Sequence, residues 1–239
     1  HGFRAVFGPR AGVAVSRRTG AAAVSEWGTL SALLAALDGG MNAGEYPMVH
    51  EWGGRSTDPV PAGSYLFQEI FIRSQRCFCR ERFKLGRDAR QTDAGQWRVT
   101  CAGCGRKRSF FFTNVGADTS AAASERFERL WKYLGWGMEA AKSKDLYGAE
   151  EFLLEVVDLE PWWGFAHLQL GAVRMAIGAM EEARDSLEQA VSILPLDAEV
   201  HEALSHCWNE LGEPKRSQRH AWLALQLEDS PLDELSLQR

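Results

Sequence analysis

Residues 170–195 read LGAVRMAIGAMEEARDSLEQAVSILP, two short helical stretches joined at Gly178 and closed by Pro195. The marked residues of this unit recur upstream at one spacing. Gly171 follows Gly137 by 34 residues, and Ala183 follows Ala149, Leu187 follows Leu153 and Pro195 follows Pro161 at the same distance. Four pairs of identical residues at one period mean stacked helical hairpins. Gly171 and Ala183 are small where the two helices of a hairpin cross closely, and Ala190 is small where the next hairpin packs. Pro195 ends the second helix because it has no N–H to continue the ladder. Such an array offers a surface for holding something and is not in itself a catalyst.

Working outward, the hairpins divide as about 130–163, 164–197 and 198–231, within a helical region spanning 120–239. The first keeps Gly137, Ala149, Leu153 and Pro161 but has Val156 at its second small position. The third has Ser205 and Ser217 where the others have Gly and Ala, keeps Gly212 and Ala224, and carries Asp229 at the Pro position. Terminal repeats are commonly atypical because one face meets water. The spacing of Leu-Gly, Ala, Leu, Ala and Pro resembles the tetratricopeptide repeat over about 102 of the 239 residues.

That resemblance implies an all-α solenoid whose first helices line a groove for a protein or peptide partner. Carried onto this chain, the groove comprises Trp131, Leu134, Met138, Phe165, Leu168 and Met175, with Glu199, Glu202, His206 and Asn209 at its far end. Leu134 and Leu168 suit a core position equally well. The groove is expected to run from apolar to acidic, which suits an amphipathic helix or an extended segment with a basic part. Chaperone-binding members clamp a C-terminal carboxylate with Lys, Arg and Asn. The matching positions here are Leu134, Leu168 and Glu202, so no such clamp is expected.

Four of the five cysteines form a second motif. Cys77 and Cys79 make Cys-x-Cys, and Cys101 and Cys104 make Cys-x-x-Cys followed by Gly105. Two close thiolate pairs suit a tetrahedral Zn²⁺, one per chain and structural, because four sulfurs leave no position open for catalysis. Iron in a rubredoxin-like Cys₄ site and a dithiol redox pair are the rival readings. Stretches 66–76, 96–100 and 107–114 read as strands around the cysteines, which makes residues 67–115 look like a zinc ribbon. The expected class is therefore α+β by domain, a small β zinc ribbon followed by the helical solenoid. An island this small and charged cannot bury enough apolar surface to fold alone, whereas zinc supplies about 10–16 kcal/mol in comparable modules. Clustered cysteines also point to a reducing compartment, and the expectation is cytoplasmic. Cys207, alone on a helix, reads as a buried inert residue.

The net charge of −5 conceals a division. Residues 71–110 carry 11 Lys and Arg against 3 acids, whereas residues 111–239 carry 11 against 23. Arg76, Arg80, Arg82, Arg98, Arg106, Lys107 and Arg108 crowd the cysteine island, interleaved with Trp97 and Phe110-Phe111-Phe112. Basic surfaces with exposed rings hold single-stranded nucleic acid. Two plainer outcomes compete: the Phe run packs inward, or the basic island docks on the acidic half of its own chain.

The remaining sequence is less specific. No apolar run reaches membrane-spanning length, so no membrane partner is expected. Residues 41–66, with Pro47, Gly53-Gly54, Pro59, Pro61 and Gly63, read as an irregular linker. Residues 25–38 suit one amphipathic helix, capped by Ser25 and apolar at Trp27, Leu30, Leu33, Leu34 and Leu37. Residues 1–25 hold four arginines and no acid, the look of an organellar targeting segment. The plainer readings of residues 1–40 are a fragment, a processed product, or a start at Met41. No nucleotide-binding glycine motif, nucleophile elbow or helical His-Glu zinc motif occurs, and the acid pairs Glu150-Glu151 and Glu181-Glu182 read as solvated helix faces, so no enzymatic activity is expected.

Overall fold

A computed structural model describes residues 59–62, 64–77, 79, 81–86, 89–91, 95–113 and 120–228. The expected helix at 25–38, most of the linker, Arg80 and residues 229–239 lie outside them. In chain order the elements are α1 (Tyr65–Ser74), β1 (Arg90–Gln91), β2 (Gln96–Thr100), β3 (Lys107–Phe111), α2 (Ser120–Lys142), α3 (Leu146–Leu159), α4 (Gly164–Ile177), α5 (Met180–Ile193), α6 (Ala198–Glu210) and α7 (Pro214–Glu228). Helices α2 to α7 form three hairpins, and the chain has a tetratricopeptide-like helical fold.

One backbone position reverses the chain in every hairpin. Lys144 (φ 65°), Gly178 (φ 93°) and Gly212 (φ 77°) lie 34 residues apart, all in the left-handed region. Glycine adopts it freely, whereas Lys144 carries a Cβ penalty. The crossing of the two helices is set just as locally. A Cβ added at Gly171 would lie 2.6 Å from Leu187 Cγ, and one at Gly137 would lie 3.1 Å from Leu153 Cγ. In the third hairpin Ser205 stands at the Gly position and Ser217 at the position of Ala183. Ser205 Oγ donates to the Ser217 carbonyl at 2.9 Å, so a hydrogen bond replaces close backbone packing there.

A second device joins successive hairpins. His167 Nε2 donates to the Pro161 carbonyl at 2.9 Å, and His201 Nε2 donates to that of Pro195 at 3.0 Å. Each pins the start of a first helix to the end of the preceding second helix. Because His201 Nε2 must donate, its Nδ1 is bare and accepts from His220 Nδ1–H at 3.0 Å. Burial disfavours the charged form of both imidazoles, and at His220 the repulsion it would meet from a protonated His201 and from Arg219 and Arg216 adds to it, so that its pKa falls to about 3.

The cysteine island corrects one expectation. Residues 66–76, read as a strand, contain helix α1. Phe67, Phe71 and Ile72 bury one helical stripe with Gln68. Ser64 accepts from the Phe67 N–H as N-cap, and Glu69 pairs with Arg73 one turn on. Aromatic and β-branched content suggested a strand, but the apolar spacing is helical. Helix α2 starts at Ser120. Strands β1, β2 and β3 form one antiparallel sheet in that order, with Trp97 opposite Phe110 and Val99 opposite Arg108. Val60 bridges Phe112 beside it.

The core is continuous from island to array. Phe71 meets Phe110, Phe112 and Trp162 edge-to-face, and Phe67 meets Trp162 and Phe127. Glu160, 1% exposed beside Trp162, is paired by Arg126 Nε at 2.7 Å.

The neutral histidines make stability depend on pH. Their folded pKa values lie below the ordinary 6.5, so the unfolded chain binds more protons as pH falls. Stability is then complete above pH 6.5 and declines through the window toward about 3, by about 1.4 kcal/mol per pH unit for each imidazole kept neutral. Urea titrations at pH 7.5 and 5.0 should show that decline, and His220→Gln should make it shallower. An unchanged slope would remove the His201–His220 pair as its source.

Candidate metal centre and interaction surface

The two cysteine arms are facing turns. The first leaves α1, and its ends are joined by an antiparallel bridge between Arg76 and Arg82, with Cys77 N–H donating to the Glu81 carbonyl at 2.9 Å. The second is the β2–β3 turn, where Cys101 N–H donates to Arg106 O and Gly105 N–H to Cys101 O, both at 2.9 Å. Gly105 takes φ 70° to close it. Gly103 is needed where the turns meet, since a Cβ there would sit 3.3 Å from Glu81 Cβ and 3.4 Å from Cys79 Sγ.

The Sγ atoms of Cys77, Cys79, Cys101 and Cys104 all lie within 4.8 Å of one another. Cys77 to Cys104 is 3.6 Å, and Cys79 to Cys101 is 3.4 Å. Sulfurs bound at about 2.3 Å to one tetrahedral ion require separations of this size. Burial pushes the Cys77 thiol up to about 11 and Cys79 higher still, against backbone hydrogen bonds from Cys79 and Glu81. At Cys104 burial also acts upward, but the Arg106 backbone bond and the neighbouring thiols outweigh it, and its pKa is lowered. Close sulfurs in a desolvated site resist collective deprotonation unless a cation compensates them. The cluster could hold a metal ion, and it is the one such group found among the described residues.

The same first arm grips the array. Arg76 Nε and Arg82 Nη2 both reach Asp197 Oδ2, at 3.3 and 3.2 Å. Asp197 Oδ1 meanwhile accepts the Glu199 N–H, capping α6. Gln75 Nε2 donates to the Ile193 carbonyl at 3.0 Å. Sequence reading did not single out Asp197. The one available signal was an Asp directly before a helical stretch, an N-cap preference.

Other parts of the basic patch are spoken for. Phe110 and Phe112 are buried, and Trp97 is half-buried, donating to Gln68 Oε1 at 2.8 Å and meeting Tyr65 edge-on. Arg108 lies over the Phe110 ring. Arg98 and Lys107 are exposed, and Arg106 is half-buried.

Among the expected groove residues, Trp131 stands 45% exposed, and Met138 and Phe165 are half-buried. Leu134, Leu168 and Met175 are buried, so a partner would not meet them at the surface. Glu199, His206 and Asn209 are exposed on α6, and Glu202 is half-buried between them. Trp131 belongs to an aromatic run that leads in from the island: Phe67, Phe127, Trp131, Trp163 and Phe165, with successive centroids 5.5–6.2 Å apart. Trp163 was missed because it falls in an inter-hairpin turn rather than on a helix. No helix among the described residues is long and apolar enough to cross a membrane.

No family model matches the chain. No curated protein matches it in sequence. Similar solved structures include MamA MSR-1 in a C2 form, at 19% identity over 45% of this chain and 62% of that one, with a TM-score of 0.40. Another MamA structure is 24% identical over 42% and 55%, with a TM-score of 0.40. The type III secretion translocator chaperone SycD of Yersinia enterocolitica is 21% identical over 46% and 86%, with a TM-score of 0.42. The matched stretch spans less than two thirds of either MamA chain.

Asp197 both caps α6 and holds two arginines of the cysteine arm. Asp197→Ala should cost about 1–3 kcal/mol in chemical denaturation, with Asp197→Asn in between because it keeps a cap. Equal losses for the two variants would mean that the cap contributes nothing.

Proposed function

We propose that this protein is a non-enzymatic scaffold that holds a partner segment along the first helices of its hairpins, with a structural Zn²⁺ in the four-cysteine centre. The observation carrying the scaffold reading is the gradient across those helices. Trp131 and Phe165 present rings at one end, and Glu199, Glu202, His206 and Asn209 present polar and acidic groups at the other. A partner with a large apolar anchor and a basic extension matches both ends. An aromatic side chain of the partner would stack on Trp131, which the run behind it holds in place. Basic groups would meet the α6 carboxylates, and their contribution should weaken with salt.

Zinc is favoured by the donor set. Four soft sulfurs at tetrahedral spacing suit it, and the fourth ligand closes the site to substrate. When bound, the ion neutralises thiolates that burial otherwise disfavours. Cys77 and Cys79 would be held from the α1 side and Cys101 and Cys104 from the sheet, so the ion would fasten the turn carrying Arg76 and Arg82 to the sheet.

The nucleic-acid reading loses support from the rings. Phe110 and Phe112 face inward and Trp97 is engaged, so the stacking surfaces that single strands use are reduced. Arg76 and Arg82 are turned toward Asp197.

Two expectations follow. Elemental analysis of the purified full chain should find one zinc per chain, and Cys104→Ser should lower that occupancy. Iron in its place, or no metal with freely alkylated cysteines, would overturn the assignment. In affinity capture read by mass spectrometry, with and without nuclease, Trp131→Ala should cost partner recovery of the order expected for an aromatic anchor, about 2 kcal/mol or thirty-fold in affinity. Glu202→Lys should also weaken capture, while Arg98→Glu leaves it unchanged. Capture lost with Arg98→Glu and with nuclease, but not with Trp131→Ala, would transfer the function to nucleic acid.

A further inference from the structure

The four clustered sulfurs differ in access as well as in place. Cys104 is exposed, Cys79 is half-buried, and Cys77 and Cys101 are buried, all as free thiols. Two close approaches run between the cysteine arms. Cys77 Sγ lies 3.6 Å from Cys104 Sγ, and Cys79 Sγ lies 3.4 Å from Cys101 Sγ. Each pair therefore sets one reachable sulfur against one buried sulfur. Each also joins the turn after α1 to the β2–β3 turn.

We propose that Cys104 is a site of oxidation by hydrogen peroxide, with Cys77 as its resolving cysteine and Cys79–Cys101 as the second pair to close. The centre then has two held states, one fastened by a metal ion and one by two disulfides across the arms. The first state rests on the zinc reading above, whereas the pairing of the sulfurs does not.

The chemistry balances. The Cys104 sulfur attacks one oxygen of the peroxide, the O–O bond breaks, one water leaves and Cys104 becomes a sulfenic acid. The Cys77 sulfur then attacks that of Cys104, the S–O bond breaks, a second water leaves and the S–S bond forms. Two thiols give up two electrons, the peroxide is reduced, and both thiol protons end in water. A second peroxide acts in the same way at Cys79 and Cys101. Bonded sulfurs lie about 2.05 Å apart, so each pair closes by about 1.5 Å. Cys79 reacts later because Gly103 of the opposite turn lies against it, where an added Cβ would sit 3.4 Å from its Sγ. Cys207 is buried outside the cluster, with its Sγ on the Met180 carbonyl, and stays reduced.

Pairing across the arms keeps what an ion would keep. The first arm remains fastened to the sheet, so Arg76 and Arg82 still reach Asp197. Pairing within an arm, Cys77 with Cys79 or Cys101 with Cys104, would leave the two turns unjoined. Oxidation also removes Cys104 as a thiolate ligand, so a loaded centre gives up its ion as the first disulfide forms.

The test treats the reduced full chain, zinc-loaded and metal-free, with one equivalent of hydrogen peroxide. The remaining thiols are alkylated in urea, and tryptic peptides are mapped by mass spectrometry without reduction. The first product should join peptide 77–80 to peptide 99–106 through Cys77 and Cys104, with Cys79, Cys101 and Cys207 alkylated. Dimedone should trap Cys104 as the sulfenic acid in Cys77→Ser, and Cys104→Ser should form its first disulfide several-fold more slowly. From the loaded chain, a chromogenic chelator should take up one zinc per first disulfide. Any other first pairing, within an arm, across the arms or between chains, would overturn the proposal. So would thiols that stay reduced in either form, or a Cys104→Ser chain oxidised as fast as the wild type. A chain that binds no zinc would instead overturn the zinc assignment, and the pairing in the metal-free chain would still decide this one.

Discussion

The indole of Trp162, 1% exposed, is the contact on which the arrangement of the two halves depends. It lies in the turn between α3 and α4 and meets Phe67 and Phe71 edge-to-face, with centroids 5.9 Å away in each case. Geometry of this kind adds about 0.5–1.5 kcal/mol per pair beyond burial. Phe71 in turn meets Phe110 and Phe112 of the sheet side, so one side chain of an inter-hairpin turn anchors the whole cysteine island. The anchor is placed by the repeat itself. Pro161 ends one unit, His167 pins the next helix to the Pro161 carbonyl, and Trp162 stands between them.

The charge division acquires a concrete meaning from that placement. A basic module beside an acidic array could neutralise it broadly, yet two arginines of the module, Arg76 and Arg82, converge on one carboxylate, that of Asp197. Arg126 and Glu160 pair within the array itself. Much of the array's acidity, including Glu199 and Glu202, stays on its own surface rather than being spent on the island. Docking therefore needs few charges, and apolar contact through α1 carries most of the joint.

What the sequence made legible follows the range of each interaction. The helix crossing at Gly171 and Leu187 and the ends at Pro161 and Pro195 are intra-repeat constraints, so they recur at 34 residues and could be read. Ser205 and Ser217 looked like decay of the pattern, but they are a paired substitution whose hydrogen bond shows only when both positions are placed together. The cysteine cluster was equally legible, because its members come as two close pairs in sequence. Helix α1 was not, since Phe and Ile serve strands and buried helices alike, and only its contact with Trp162 shows which stripe is buried. Leu168 and Met175 were placed in the groove by analogy of position, whereas neighbouring side chains cover them here. Trp163 and Asp197 escaped because turns between repeats carry no periodic signal.

The four-cysteine cluster and the array meet through the same short segment. Arg76 and Arg82 are paired across the base of the first cysteine turn, with Cys77 and Cys79 between them. A ligand set that fixes those two cysteines also fixes the separation and direction of the two guanidinium groups. These groups share one oxygen of Asp197, while its other oxygen starts α6. Geometry imposed at the sulfurs is thus transmitted through two arginines and one carboxylate to the first turn of the helix bearing Glu199 and Glu202. The cysteine island is then more than an appendage: it is a brace on the acidic end of the array, and its rigidity bears on how well that end can be presented.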